Sequence, residues 1–146
     1  MDKMSDWIYK SEKFVTPEDF SSDDWMGFVY IITNNESNRK YIGKKLFWFK
    51  KTLPVTKKRK RRKKVLYESD WKDYWGSNKH LMEEVAKCDK SEYTREILHL
   101  CKTRGELSYM ELVEQVERKV LLSDEFYNGI IQIRIGSRSL KDLQEK

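Results

Sequence analysis

The sequence predicts a small α+β domain: a three-stranded antiparallel sheet, built from a β-hairpin and a third strand, flanked by helices and carrying a basic insertion after the hairpin. Three observations predict it. Phe28-Val29-Tyr30-Ile31-Ile32-Thr33 and Arg39-Lys40-Tyr41-Ile42-Gly43-Lys44-Lys45 are strand-like runs rich in β-branched and aromatic residues, separated by the turn-forming Asn34-Asn35-Glu36-Ser37-Asn38. Glu92 to Leu100 alternates as a third strand, and the stretches 79–88 and 108–122 have helical periodicity, so helices cover the sheet. With 146 residues, 38% apolar and 13% aromatic, the chain has the length of one domain and enough apolar surface for a modest core. The expected layout is a single domain over residues 1–146, with an N-terminal extension at 1–26 and a basic inserted loop at 46–66.

Taken in order, Thr16-Pro17-Glu18-Asp19 predicts a short helix, with a Thr cap, Pro at the first helical position and acids in the first turn. The hairpin follows. Residues 50–70 read as an inserted loop or extended hairpin tip, because Pro54 and the charge run oppose regular structure. Order returns near Trp71 in the aromatic stretch Trp71-Lys72-Asp73-Tyr74-Trp75, and the Gly76-Ser77-Asn78 break caps a helix through Leu81, Val85 and Cys88. Cys88-Asp89-Lys90-Ser91 interrupts it before the third strand. Ser108 to Leu122 is the longest amphipathic helix, with Tyr109, Leu112, Val113, Val116 and Val120 on the core face and Glu111 and Gln115 on the other. Ser108-Tyr109-Met110-Glu111 has the form of a capping box, with Leu107 and Leu112 placed as a hydrophobic staple. Gly129 to Ile135 predicts a short final strand and Leu140 to Lys146 a tail.

Charge is segregated along the chain. Lys44 to Lys64 holds twelve basic residues and no acidic one, leaving 18 basic against 24 acidic residues elsewhere. The basic character is therefore local. Its densest part, Lys57, Lys58, Arg59, Lys60, Arg61, Arg62, Lys63 and Lys64, cannot pack against a core, because like charges repel and resist desolvation. It calls for water or a polyanion, and Lys44 continues the same run. No stretch approaches the ~18 apolar residues of a membrane span and Met1 to Asp6 lacks an apolar signal core, so an intracellular protein is expected. Cys88 and Cys101 are too few for a disulfide framework and lack zinc-site spacing, which predicts reduced thiols.

The two tyrosine-bearing strands resemble the GIY-YIG nuclease family: Phe28-Val29-Tyr30 stands at its first tripeptide, and Tyr41-Ile42-Gly43 matches the second unchanged. The basic insertion with Trp71 to Ser77 is similar to small phage-encoded members of the homing or mobile type. The resemblance implies a divalent-metal-dependent endonuclease acting on DNA inside a phage-infected cell, with Mg²⁺ or Mn²⁺, no small-molecule cofactor and no membrane partner. It also implies one metal-binding glutamate on a helix after the third strand and before a Tyr-Asn segment. Glu111 is the expected ligand, with Glu114 as the alternative and Tyr127-Asn128 as the segment. Tyr30 is expected as general base or water-orienting group, its phenolate stabilised by Lys44, Lys45 or an arginine, and Tyr41 as the group holding the water or a phosphate oxygen. The family's arginine, on a helix right after the second tripeptide, has no counterpart in Leu46-Phe47-Trp48-Phe49-Lys50-Lys51. Arg62 and Arg95 are the candidates to replace it, with Lys45 as a point charge. His80 reads as a surface residue. Two non-enzymatic functions fit the same residues: a nucleic-acid-binding module gripping a strand by charge and by Trp48, Trp71, Tyr74 and Trp75, and an interaction protein docking its basic loop on an acidic partner.

Overall fold

The computed structural model describes residues 6–143. The strands are β1 (Trp7–Tyr9), β2 (Glu12–Lys13), β3 (Gly27–Asn34), β4 (Lys40–Leu46), β5 (Trp48–Leu53), β6 (Lys63–Glu68) and β7 (Tyr93–Cys101). The helices are α1 (Lys79–Lys87) and α2 (Arg104–Glu117). The expected hairpin is β3–β4, antiparallel from Thr33↔Lys40 to Gly27↔Leu46. Its turn closes because the Asn34 side chain accepts from the Glu36 and Ser37 amides at 3.0 and 3.2 Å, while Asn38 takes a positive φ of 63°. The third strand is β7, antiparallel to β3, with a bulge at Val29/Tyr30.

The sheet is larger than expected, five strands in the order β2-β1-β7-β3-β4, and it is mixed. The difference lies in the N-terminal segment: β1 adds to β7 in parallel, Trp7 opposite Arg95, and turns back into β2. Residues 7–13 are thus part of the sheet. The helix expected from Thr16 does not form. A single turn at Pro17–Phe20 gives way to side-chain bonds that compete with a helix, the Ser21 amide to Asp24 Oδ2 at 2.8 Å and the Asp23 amide to Ser21 Oγ at 3.2 Å.

The insertion is also more ordered than its charge suggested, since β5 and β6 form a separate two-stranded antiparallel sheet. Cross-strand pairs such as Phe49 and Tyr67, with ring centroids 5.8 Å apart, outweigh the disfavour of the neighbouring charges, and the charge collects in the 54–62 connection. Residues 129–135 form no strand. The Asn128 side chain takes the place of a pairing strand, accepting from the Ile42 amide at 3.0 Å and donating to the Ile42 carbonyl at 2.8 Å. At the C-terminus, Ser137–Leu143 makes 3₁₀ turns, and the rest of the expected tail lies outside the described residues.

The sheet has two unlike faces. On one, Trp7, Phe28, Tyr30, Ile32, Ile97 and Tyr93 join Phe47, Trp71 and the α1 residues Leu81 and Val85 in an aromatic core. The other, Val29, Ile31, Ile42 and Cys101, is covered by Leu107 of α2 and by Val120. Among the described residues no helix is long and apolar enough to cross a membrane. Cys88 is exposed and Cys101 buried, both unpaired, and burial pushes the Cys101 thiol up to about 12.

Candidate active site

β4 is the outer strand of the sheet, its side chains alternating between the two faces and its outer edge bonded by Tyr127, Asn128 and Gln115 rather than by a further strand. Tyr41, Gly43 and Lys45 point to the aromatic side, Ile42 and Lys44 to the α2 side. Gly43 is there for contact reasons: a Cβ would lie 2.5 Å from Tyr30 Oη and 2.9 Å from Tyr41 Cε2. The absent side chain lets the two tyrosine rings come within 6.2 Å across the hairpin. Gly76, at φ 90°, supplies the turn that brings Ser77 to Tyr41, hydroxyl to hydroxyl at 3.2 Å.

The two tyrosines are not equivalent. Tyr30 is wholly buried, its hydroxyl among Tyr74, Gly43 and Gly76, and burial followed by the neighbouring Tyr74 and Tyr41 raises its phenol well above the ordinary value. Tyr41 is half-buried. Its phenol is raised by burial and partly relieved by the hydrogen bond with Ser77. The cations expected to favour a phenolate are engaged elsewhere. Lys44 Nζ donates to Ser108 Oγ at 2.7 Å, and Lys45 Nζ lies 2.6 Å from Asp70 Oδ1 and 4.0 Å from the centre of the Tyr74 ring. Both tyrosines keep their protons at neutral pH.

Glu111 owes its position to a helix that begins earlier than expected. Thr103 is the cap of α2, accepting from the Glu106 amide at 3.1 Å, while Glu106 Oε1 accepts from the Lys102 amide at 3.2 Å. Ser108 and Glu111 therefore sit inside the helix and form no capping box. The helix is also turned about its axis relative to the expected wheel. Leu107 and Gln115 are buried, whereas Tyr109 and Val116 are 39% and 58% exposed. Leu107, Glu111 and Gln115, spaced by four, face β4 together, and Gln115 donates to the Ile42 carbonyl at 3.2 Å. Glu111 is half-buried on this face, and its carboxylate accepts no hydrogen bond among the described residues. Burial raises the Glu111 carboxyl above the usual range, opposed by the charge on Lys44.

These groups meet in a polar cavity of about 440 Å³, whose lining includes Tyr41, Lys44, Ser77, Lys79, Glu111 and Asn128. It opens along the edge of β4, so residues from both faces of the sheet reach it. No group of three or more His, Cys, Asp or Glu side chains that could hold a metal ion occurs among the described residues. A closed metal centre is therefore absent from them. A lone carboxylate, half-buried and without a hydrogen-bond donor, instead fits a cation that draws most of its ligands from water and substrate, as Mg²⁺ does.

The other expected site residues lie apart. Glu114 is held by His99 at 2.5 Å and Arg118 at 2.8 Å, and these bonds outweigh burial to keep its carboxyl below the usual range. Arg95 is buried with Trp7 and Trp75 over its guanidinium at 4.6 and 4.2 Å. It donates to the Tyr74 carbonyl at 2.7 Å, and burial brings it down to about 10. It lines a different cavity, beside Phe14 and Trp71. Lys57, Lys58, Lys60, Arg61 and Arg62 are exposed on the β5–β6 connection, Lys63 and Lys64 are exposed on β6, and none lines the Glu111 cavity. His80 is exposed, 3.6 Å from Glu84.

Asn128 and Gln115 were missed as edge-holding groups. The spacing of Leu107, Glu111 and Gln115 was the available signal for Gln115, and Asn128 had none beyond its place after Tyr127. Asn128 is fixed by its neighbour: the Tyr127 amide donates to the Lys40 carbonyl at 2.7 Å, and the Tyr127 hydroxyl donates to Glu84 at 2.5 Å. Glu84 also accepts from Tyr93 and Asn34, and these bonds overcome its burial and keep its carboxyl low.

Comparison with protein families finds a match over residues 7–131 to the family described as "Putative endonuclease segE, GIY-YIG domain". No curated protein and no solved structure matches the chain.

Proposed function

From its membership of the GIY-YIG endonuclease family, to which this chain belongs, we propose that it is a divalent-metal-dependent endonuclease hydrolysing phosphodiester bonds in DNA, of the phage or mobile-element type. One observation carries the metal-dependent part: Glu111, a carboxylate raised by burial and free of hydrogen-bond donors among the described residues, lines a polar cavity with Lys44 and Tyr41. In this reading Glu111 holds Mg²⁺ or Mn²⁺. When bound, the ion supplies Lewis-acid chemistry, offsetting the charge that develops on the phosphoryl and leaving oxygens.

The protein's own groups divide the rest of the work. Tyr41, protonated and open to the cavity, donates a hydrogen bond to a phosphate oxygen or orients the attacking water. Tyr30 is the buried support that fixes the Tyr41 ring, its role being orientation rather than proton removal, because its phenol is raised further. Lys44, on the cavity wall and hydrogen-bonded to Ser108, takes the point-charge part expected of Lys45, which Asp70 engages. The cations of the run from Lys57 to Lys64 bind the nucleic acid, chiefly through its backbone, which makes attachment strong and salt-sensitive.

The test is conversion of supercoiled plasmid by the folded protein. Nicked or linear DNA should appear with Mg²⁺ or Mn²⁺ and not with EDTA. Intact plasmid with either metal at protein excess refutes the enzyme. Affinity for DNA without cleavage would select a binding module, a reading the exposed cations of the Lys57–Lys64 run also support.

A further inference from the structure

Among the described residues β5 pairs with β6 and with no other strand, so the pair is a ribbon separate from the main sheet. Its six-residue strands make it about 20 Å long. Opposed residues share a face. Phe49/Tyr67, Lys51/Val65 and Leu53/Lys63 lie on one side, and Trp48/Glu68, Lys50/Leu66 and Thr52/Lys64 on the other. The second side is anchored at its base, where Trp48 stacks on Phe20 at 5.4 Å and donates to the Trp25 carbonyl at 3.0 Å. The first side leads elsewhere. Phe49 lines a cavity of about 340 Å³ with Lys44, Arg104 and Ser108, and Lys44 also lines the Glu111 cavity. A cationic path thus runs from the ribbon past Arg104 and Lys44 to Glu111. At the far end Arg59 shapes the connection, donating to the Pro54 carbonyl at 2.7 Å and the Arg61 carbonyl at 3.1 Å. The remaining cations of the tip point outward.

We infer that this ribbon enters the major groove of duplex DNA with its Phe49–Tyr67 side toward the base edges, making the substrate a duplex with an open major groove. The inference rests on the nuclease reading for the direction in which the bound strand continues, toward Glu111. Three features carry it. The B-form major groove, about 12 Å wide, admits a two-stranded ribbon, whereas the major groove of duplex RNA is too narrow for side chains to read. Lys51 and Lys63 are exposed donors suited to guanine O6 and N7, and Val65, opposite Lys51 and two residues along from Lys63, offers an apolar contact for a thymine methyl. Single strands are gripped by successive exposed aromatic platforms, but here Trp71 is buried, Trp48, Tyr74 and Trp75 are packed on the core, and of the ribbon's own rings only Tyr67 is exposed, a single ring where stacking needs several.

Dimethyl sulfate protection tests this, because it reports guanine N7 in the major groove and adenine N3 in the minor groove. The intact chain at saturation on a duplex DNA fragment in EDTA should protect guanine N7 and leave adenine N3 reactive. Duplex RNA of the same sequence should compete at least about tenfold less well. Joint replacement Lys51→Ala and Lys63→Ala should abolish N7 protection, while Lys57→Ala with Lys58→Ala at the tip should weaken binding and leave the same guanines protected. Protection of adenine N3 alone, equal competition by duplex RNA or single strands, or unchanged protection in the Lys51/Lys63 variant overturns the inference. A parallel digest with Mg²⁺ separates the two readings: N7 protection without cleavage supports the ribbon and removes the nuclease, and cleavage without N7 protection keeps the nuclease and overturns the ribbon.

Discussion

Replacing Glu111 by Gln keeps the volume and helix preference of the side chain and removes one charge. No hydrogen bond is lost with it among the described residues. Because burial raises the Glu111 carboxyl, folding favours its protonated form. Its contribution to stability is therefore full below the unfolded value of about 4.3 and lost as pH rises through the higher folded value. At neutral pH the charge is a small burden on the fold. Glu111→Gln should accordingly melt at or slightly above the parent, within about 0.5 kcal/mol, with the difference vanishing in acid. Activity should move the opposite way. If Glu111 holds the ion as proposed, losing its carboxylate removes several kcal/mol of transition-state stabilisation, and about 3–4 kcal/mol corresponds to roughly 10²- to 10³-fold in rate. The assay is single-turnover plasmid nicking beside thermal melts at neutral and acidic pH. Thr103→Ala is the control, since it deletes the real cap of α2: it should cost about 1 kcal/mol and leave cleavage in place. A Glu111→Gln protein that nicks near the parent rate, or that melts about 1 kcal/mol lower at neutral pH, refutes the placement of Glu111 in the site.

Gly43→Ala puts a methyl 2.5 Å from Tyr30 Oη, and overpacking of this kind costs about 1–3 kcal/mol, so a lower melting temperature and slower nicking should appear together. Glu114→Gln breaks the contacts to His99 and Arg118 and should cost about 1–3 kcal/mol at neutral pH while cleavage persists, as urea midpoints and nicking rates would show. Because the folded Glu114 carboxyl is depressed, its contribution is present above the unfolded value and lost as pH falls through the folded one, so the variant should also flatten the parent's loss of stability below about pH 4. Replacing the cations from Lys57 to Lys64 by Gln should weaken DNA binding and flatten its dependence on salt, measured by anisotropy titrations across a salt series.

Those features of the fold that depend on neighbours in the chain were legible in the sequence. The β3–β4 hairpin, β7 and α1 are specified by β-branched runs, side-chain alternation, the Asn34 turn and the Asn78 cap, all acting within a few residues. The nearness of Tyr30 to Tyr41 comes from the same hairpin, in which Gly43 stands opposite Tyr30 and Tyr41 is its diagonal neighbour. What the sequence left undecided were choices between similar local patterns and pairings over long separations. Thr103-x-x-Glu106 and Ser108-x-x-Glu111 both have capping form, and only the packing of Leu107 under the sheet selects the first and turns Glu111 toward β4. Trp7 meets Arg95 in a parallel pair 88 positions away, and no short-range pattern encodes such a contact. The charge of the insertion concealed a ribbon held by cross-strand aromatics. Arg95 and Lys45 illustrate the remaining gap. Their charges are plain in the sequence, but the Trp7 and Trp75 rings and the Asp70 carboxylate that engage them are assembled only by tertiary contact, where desolvation and distance decide which cations remain available to a substrate.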